Sequence, residues 1–137
     1  MSDCLFCKIV NGEIPSTKVY EDDYTYAFMD IMPLTKGHTL LIPKQHCQDL
    51  FAMPEEVAAN LYKAAPKVAN AIKAAFNPKG MNTINNNGEF AGQTVFHYHL
   101  HFIPRYDETD GLDVAWNSKT VEMSDIAAYG EEIKKHI

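Results

Sequence analysis

Gly92-Gln93-Thr94-Val95-Phe96-His97-Tyr98-His99-Leu100-His101-Phe102-Ile103-Pro104 sets a histidine at every second residue through its middle. Residues 95–104 read as a strand, and a strand turns alternate side chains to opposite faces. On that reading His97, His99 and His101 share one face, while Phe96, Tyr98, Leu100 and Phe102 turn to the core. At roughly 3.3 Å per residue, neighbouring histidines stand ~6.6 Å apart and the outer pair ~13 Å. Three side chains so spread do not meet on one ion, so the row is expected to divide its tasks. The alternative is a polar strand face that happens to use histidine.

Immediately upstream runs Asn85-Asn86-Asn87-Gly88-Glu89-Phe90-Ala91-Gly92. Its glycines and asparagines allow a tight turn that presents bare N–H groups, a cradle for an anion. Gln93 and Thr94 add side-chain donors just before the row. A glycine-rich loop alone is a weak signal; joined to in-line histidines it describes a phosphate site. A neutral imidazole can attack phosphorus near pH 7 and split one hard displacement into two easier ones, with neighbouring imidazoles and amide donors steadying the charge.

Further out, the chain predicts a short helix over 4–11 with Asp3 as N-cap and Gly12 just past its end. Strands over 18–21 and 24–30 are joined by the acidic turn Asp22-Asp23, and a buried strand covers 38–43. Pro54 in the first turn, followed by Glu55 and Glu56, opens a long helix whose stripe is Val57, Leu61, Ala65, Val68, Ile72 and Phe76. Pro66 is expected either to kink it or to leave one hydrogen bond unmade, and residues 77–80 end it. A strand over 81–86 precedes the histidine strand, and Ser124 caps a short C-terminal helix. The expected fold class is α+β, with a mainly antiparallel sheet of about five strands, one long helix and short terminal helices in a single domain over 1–137.

Composition narrows the function. The chain has 137 residues, 46% of them hydrophobic, and a net charge of −6 without a basic run. No concentrated basic face exists for polymeric nucleic acid, although a single nucleotide needs only a few donors. The opening residues show no basic stretch followed by a long apolar one, so no secretory signal is expected, and no apolar run approaches the ~20 residues of a membrane span. Three cysteines, an odd count, argue against a disulfide framework. A cytoplasmic protein with reduced thiols is expected.

The segments Gly37-His38-Thr39-Leu40-Leu41-Ile42-Pro43, Asn86-Asn87-Gly88 and Gly92–His101 resemble the histidine triad family of nucleotide hydrolases and transferases. The likeness runs over about 4–105, the tail over about 106–137 matching less clearly. It is greatest toward the purine-nucleoside phosphoramidase branch and its bacterial relatives. The resemblance implies that His99 is the nucleophile toward the α-phosphorus, that His101 contacts the phosphate or leaving group, and that His38 supports the same site. It implies that Asn86, Gln93, Thr94 and the Gly92 backbone hold phosphate oxygens. Asp30 would accept the ribose hydroxyls, or else be an ordinary strand-end carboxylate, and Leu5, Phe6, Ile9 and Phe28 would wall the base pocket, although on the residues alone each reads as ordinary core. A homodimer is implied as well. Dinucleoside polyphosphates use the same attack, and a zinc- or nucleotide-binding module with vestigial activity is the reading from another class. Metal-dependent hydrolysis at His99 and His101 lacks an obviously placed carboxylate.

Cys4-Leu5-Phe6-Cys7 is a C-x-x-C, a frequent half-site for zinc. Without a βαβ context it does not read as a redox motif. His46 and His97 would complete a closed, structural tetrahedron, as in bacterial members that resemble this chain. The alternative is a pair of ordinary reduced thiols. Cys47 is expected to be unliganded.

Overall fold

The computed structural model describes residues 3–137. Its elements are α1 (Leu5–Val10), β1 (Lys18–Glu21), β2 (Thr25–Met29), β3 (Thr39–Pro43), α2 (Glu55–Phe76), β4 (Gly80–Ile84), β5 (Leu100–Arg105) and α3 (Met123–Lys134). The five strands form one antiparallel sheet in the order β1-β2-β3-β5-β4. β3 lies at the centre and is buried along its whole length, as an uninterrupted apolar run should be when helices cover both faces.

Period-two alternation assigns the faces. Ala27, Leu41, Leu100 and Phe102 meet Val57, Leu61, Ala64, Val68 and Ile72 of α2. Tyr26, Phe28, Leu40 and Ile42 meet Phe6 and Ile9 of α1 on the other side. The register sets Leu40 opposite His101 and Leu41 opposite Leu100, so His101 emerges on the α1 face while its neighbours enter the α2 core. Among the described residues no helix is long and apolar enough to cross a membrane.

Several local expectations are corrected. The N-cap of α1 is Cys4, not Asp3: the Cys4 Sγ accepts from the Cys7 N–H at 3.5 Å. Gly12 does follow the helix, at φ +79°. Pro54 is the N-cap of α2 and lies just outside its first turn. The helix runs through Pro66 as one 22-residue element, so the missing hydrogen bond is left unmade on the exposed side. Phe76 ends the apolar stripe half-exposed and packs over Gly37. α3 is capped by Glu122, with Ser124 already inside it.

The histidine strand begins five residues later than its alternation suggests. β5 starts at Leu100, so His97 and His99 precede it, and Phe96 turns out to solvent instead of entering the core. The continued register would set Tyr98 opposite Pro43, which has no N–H to give a ladder. Tyr98 N–H donates to the Cys47 carbonyl at 2.7 Å instead.

Candidate active site

Beside the α1 face opens a cavity of about 370 Å³. Leu5, Phe6, Ile9, Phe28 and Leu40 give it apolar lining, and Asp30, Thr94, His99 and His101 line it as well. The sequence had not singled out Ile31 and Met32, which stand at the rim 90% and 81% exposed. Large apolar side chains so exposed are a binding-surface signal that only the structure supplies.

Fixed backbone partners decide which nitrogen of each ring keeps its hydrogen. A carbonyl can only accept, so His99 donates its Nδ1–H to the His97 carbonyl at 2.8 Å. Its Nε2 therefore carries the lone pair. The Phe6 ring meets the His99 ring edge-on at 5.1 Å and 87°, fixing its tilt. The Leu34 N–H donates to His38 Nδ1 at 3.0 Å, which leaves the hydrogen of His38 on Nε2. That hydrogen is donated to His101 Nδ1 at 2.9 Å, so neutral His101 keeps its own hydrogen on Nε2. The rings of His99 and His101 lie 4.9 Å apart. A lone pair and an N–H thus stand side by side.

Burial keeps these rings neutral. Desolvation holds His99 and His38 below the usual imidazole range. Desolvation, with the nearness of His99 and His38, pushes His101 down to about 4.

His38 is 2% exposed and lies behind His101 without lining the cavity. Asp30 Oδ2 approaches His38 Nε2 to 3.5 Å, and its Oδ1 accepts from the Met32 N–H at 2.7 Å. Asp30, His38 and His101 could be taken for a metal group, supplying the carboxylate the sequence did not reveal. The His38 nitrogen facing that group bears a hydrogen, so the trio is hydrogen-bonded and not arranged to ligate.

The glycine-rich loop requires one correction. Gln93 offers no free side-chain donor: its amide donates to the carbonyls of Gln48 at 2.7 Å and Val95 at 3.1 Å, and accepts from the Gly88 N–H at 2.8 Å. It braces the loop from within. Gly92 turns the chain at φ +99° with Asn86 against it. Neither Asn86, Gly92 nor Gln93 lines the cavity, whereas Thr94 does. Asn85, passed over in favour of its neighbour, donates to the His99 carbonyl at 3.2 Å; within a run of three asparagines nothing in sequence distinguishes it.

A second cluster sits behind His99. Cys4 Sγ and Cys7 Sγ lie 3.4 and 3.5 Å from His97 Nδ1, and Cys7 Sγ lies 3.4 Å from His46 Nδ1. His97 donates its Nε2–H to the Pro43 carbonyl at 2.8 Å, leaving the Nδ1 lone pair toward the thiols. With zinc–sulfur and zinc–nitrogen bonds of about 2.3 and 2.0–2.1 Å, a tetrahedron has N···S edges of about 3.6 Å. The observed spacing therefore fits a zinc ion. Burial and the adjoining Cys4 push the Cys7 thiol up to about 11, a cost that a cation would relieve. Cys47 is buried apart from this group.

The sequence pattern of the HIT domain matches residues 11–108. The adenosine 5′-monophosphoramidase hnt1 of Schizosaccharomyces pombe is 42% identical over 134 residues, 98% of this chain and 98% of that protein. The crystal structure of a HIT family protein from Bacillus anthracis superposes with a TM-score of 0.96 at 52% identity, covering 98% of this chain and 97% of that one. A Zn-bound histidine triad family protein from Mycobacterium smegmatis does so with a TM-score of 0.73 at 41% identity, over 78% of each chain.

Proposed function

The chain belongs to the HIT domain family and is a hydrolase of that family, and from that premise we propose that it cleaves purine nucleoside phosphoramidates through a covalent nucleotidyl-histidine at His99. The observation that carries this is the pair of tautomers: a lone pair on His99 Nε2 beside the hydrogen on His101 Nε2, at the edge of an apolar cavity.

The purine lies against Leu5, Phe6, Ile9 and Phe28, and Asp30 takes the ribose hydroxyls. Thr94 and Asn86, on the loop that Gln93 braces, hold phosphate oxygens, whereas the Gly92 N–H is given to the Glu89 carbonyl at 3.0 Å and shapes the turn. His99 Nε2 forms a bond to the α-phosphorus as the bond from phosphorus to the amine nitrogen breaks. The departing amine takes up one proton. Water then attacks phosphorus, breaks the P–N bond to His99 and releases one proton with the nucleoside monophosphate. The His101 Nε2–H, held in place by His38, hydrogen-bonds the departing nitrogen, while water supplies the first proton and takes up the second.

The test is intact-protein mass after mixing with an adenosine phosphoramidate, beside AMP release. The wild type is expected to gain one adenylyl group and release AMP; His99→Ala is expected to bind nucleotide but do neither, with turnover falling by at least about 10³-fold. Equal turnover in that variant would overturn the covalent route. The same assay with a dinucleoside polyphosphate distinguishes the other leaving group.

Cys4, Cys7, His46 and His97 hold one zinc ion in this reading. Closed by four protein ligands, it serves structure, since no position is left for water. The Zn-bound relative and the N···S spacing support it, and a cytoplasmic setting would keep the thiols reduced. The protein is further read as a single domain over 1–137 that works as a homodimer. Among the described residues one edge of β4 has no partner strand, and Tyr62 on the outer side of α2 is 48% exposed.

A further inference from the structure

His38 is buried, so its surroundings decide its orientation, and the turn over 34–37 that precedes it is gripped from two sides. On one side Gly37, at φ +93°, lies under the Phe76 ring, where a Cβ would come within 2.8 Å of a ring carbon. On the other side lies the chain that leaves β5. Arg105, the last residue of that strand, donates from Nε to Asp110 Oδ2 at 3.1 Å, from Nη1 to Asn82 Oδ1 at 2.8 Å and from Nη2 to the Leu112 carbonyl at 2.7 Å. Asp110 Oδ2 also accepts from the Tyr106 N–H at 2.7 Å and the Asp107 N–H at 3.3 Å. Tyr106 gives its hydroxyl hydrogen to the Lys36 carbonyl at 2.7 Å.

The loop so closed delivers Gly111 onto the turn. Its N–H donates to the Leu34 carbonyl at 3.1 Å, and the approach is so near that a Cβ would stand 2.5 Å from that oxygen. Leu34 is thereby held at both ends: Gly111 on its oxygen, and His38 Nδ1 on its N–H at 3.0 Å.

We propose that residues 105–112 form a clasp that positions the His38–His101 pair, by seating Leu34 so that its N–H keeps the hydrogen of His38 on Nε2. Arg105, Asp110 and Gly111 are positioning residues, and none of them lines the cavity. If Leu34 moves, His38 loses the donor that selects its tautomer. The other tautomer would face the His101 Nδ1 lone pair with a second lone pair across 2.9 Å; His101 would then have to hold its hydrogen on Nδ1 and turn a bare Nε2 toward the leaving group. The loss would fall on the departure of the amine and leave the purine wall intact. The kinetic part of this inference rests on the reaction proposed above; the tautomer part does not.

Gly111→Ala tests it, because the added methyl cannot fit against the Leu34 oxygen. Nitrogen-15 spectra of the histidine rings read the tautomers without any turnover. In the wild type His38 should show its hydrogen on Nε2; in Gly111→Ala that signature should be lost or mixed. With an adenosine phosphoramidate kcat should fall about tenfold or more while KM changes by less than about twofold. If the alanine variant does not fold, Asp110→Asn, which keeps an oxygen at the clasp but loses its charge, is read in the same way. Wild-type tautomers in a folded variant, or a rise in KM with kcat unchanged, would overturn the clasp. A wild type with the stated tautomers but no AMP release would count against the reaction alone.

Discussion

His97, His99 and His38 each receive their tautomer from a backbone group: the Pro43 carbonyl, the His97 carbonyl and the Leu34 N–H. The spacing of the row is legible in sequence, and so is the likeness that ranks His99 as nucleophile. The selecting groups are not, because every residue carries a carbonyl and almost every one an N–H. The same holds for Gln93, whose amide is spent on three backbone groups that only the folded loop brings together. A pH prediction follows from His101. Its ring is held at about 4 against an ordinary 6.5, chiefly by burial. Between those values the unfolded chain binds more protons than the folded one, so stability rises with pH across this window and is lost on acidification through it. The slope is at most about 1.4 kcal/mol per pH unit for each such proton, and less for a ring that reaches the cavity. Urea midpoints compared at pH 7 and pH 5 check the sign; an unchanged or higher midpoint at pH 5 would contradict it.

Among the elements, α2 was the most legible, because a 22-residue helix shows its 3.6-residue stripe many times over. Leu61 is completely buried in that stripe against the sheet. Leu61→Ala should cost about 2–5 kcal/mol, measured by denaturant unfolding; a cost under about 1 kcal/mol would mean the packing is not as described. β5 begins later than the alternation predicts, and the reason is physical. Alternation of side chains is a property of extended chain, whether or not it pairs. The residue types of 95–99 carry that alternation, but the chain bends at 95–97 and turns Phe96 to solvent while Tyr98 enters the core, since Pro43 cannot supply a ladder and the thiol cluster holds His97. α1 depends on that cluster, since both cysteines stand at its start. Cys7→Ser should lower bound zinc from about one equivalent to well below it, by elemental analysis, and lower the melting temperature by several degrees. Equal zinc content in the variant would remove Cys7 from the ligand set.

Over the whole molecule, the antiparallel sheet with one long helix follows from the pattern of hairpins around a helical stripe. The tail's short helix is legible too, but its placement is not, because α3 buries none of its residues and so leaves no core stripe to read. The open edge of β4 and the outer side of α2 bear on assembly. Unpaired strand edges and exposed aromatics are surfaces that a second copy can cover. Sedimentation velocity at micromolar concentration should therefore give twice the chain mass of 15.4 kDa. A single species at the chain mass would overturn the dimer.

One peptide oxygen, that of His97, accepts the hydrogen of His99 while the His97 ring faces the thiols. Two chemically unrelated centres therefore share a single residue of backbone. An alanine scan scored by turnover alone would consequently confuse them: loss at Cys4, Cys7 or His46 would mimic damage to the proposed nucleophile. Scored by metal content and adduct mass together, the same scan separates residues of the proposed zinc site from those proposed to meet the phosphate, and His97→Ala, which keeps the peptide oxygen, is expected in the first group.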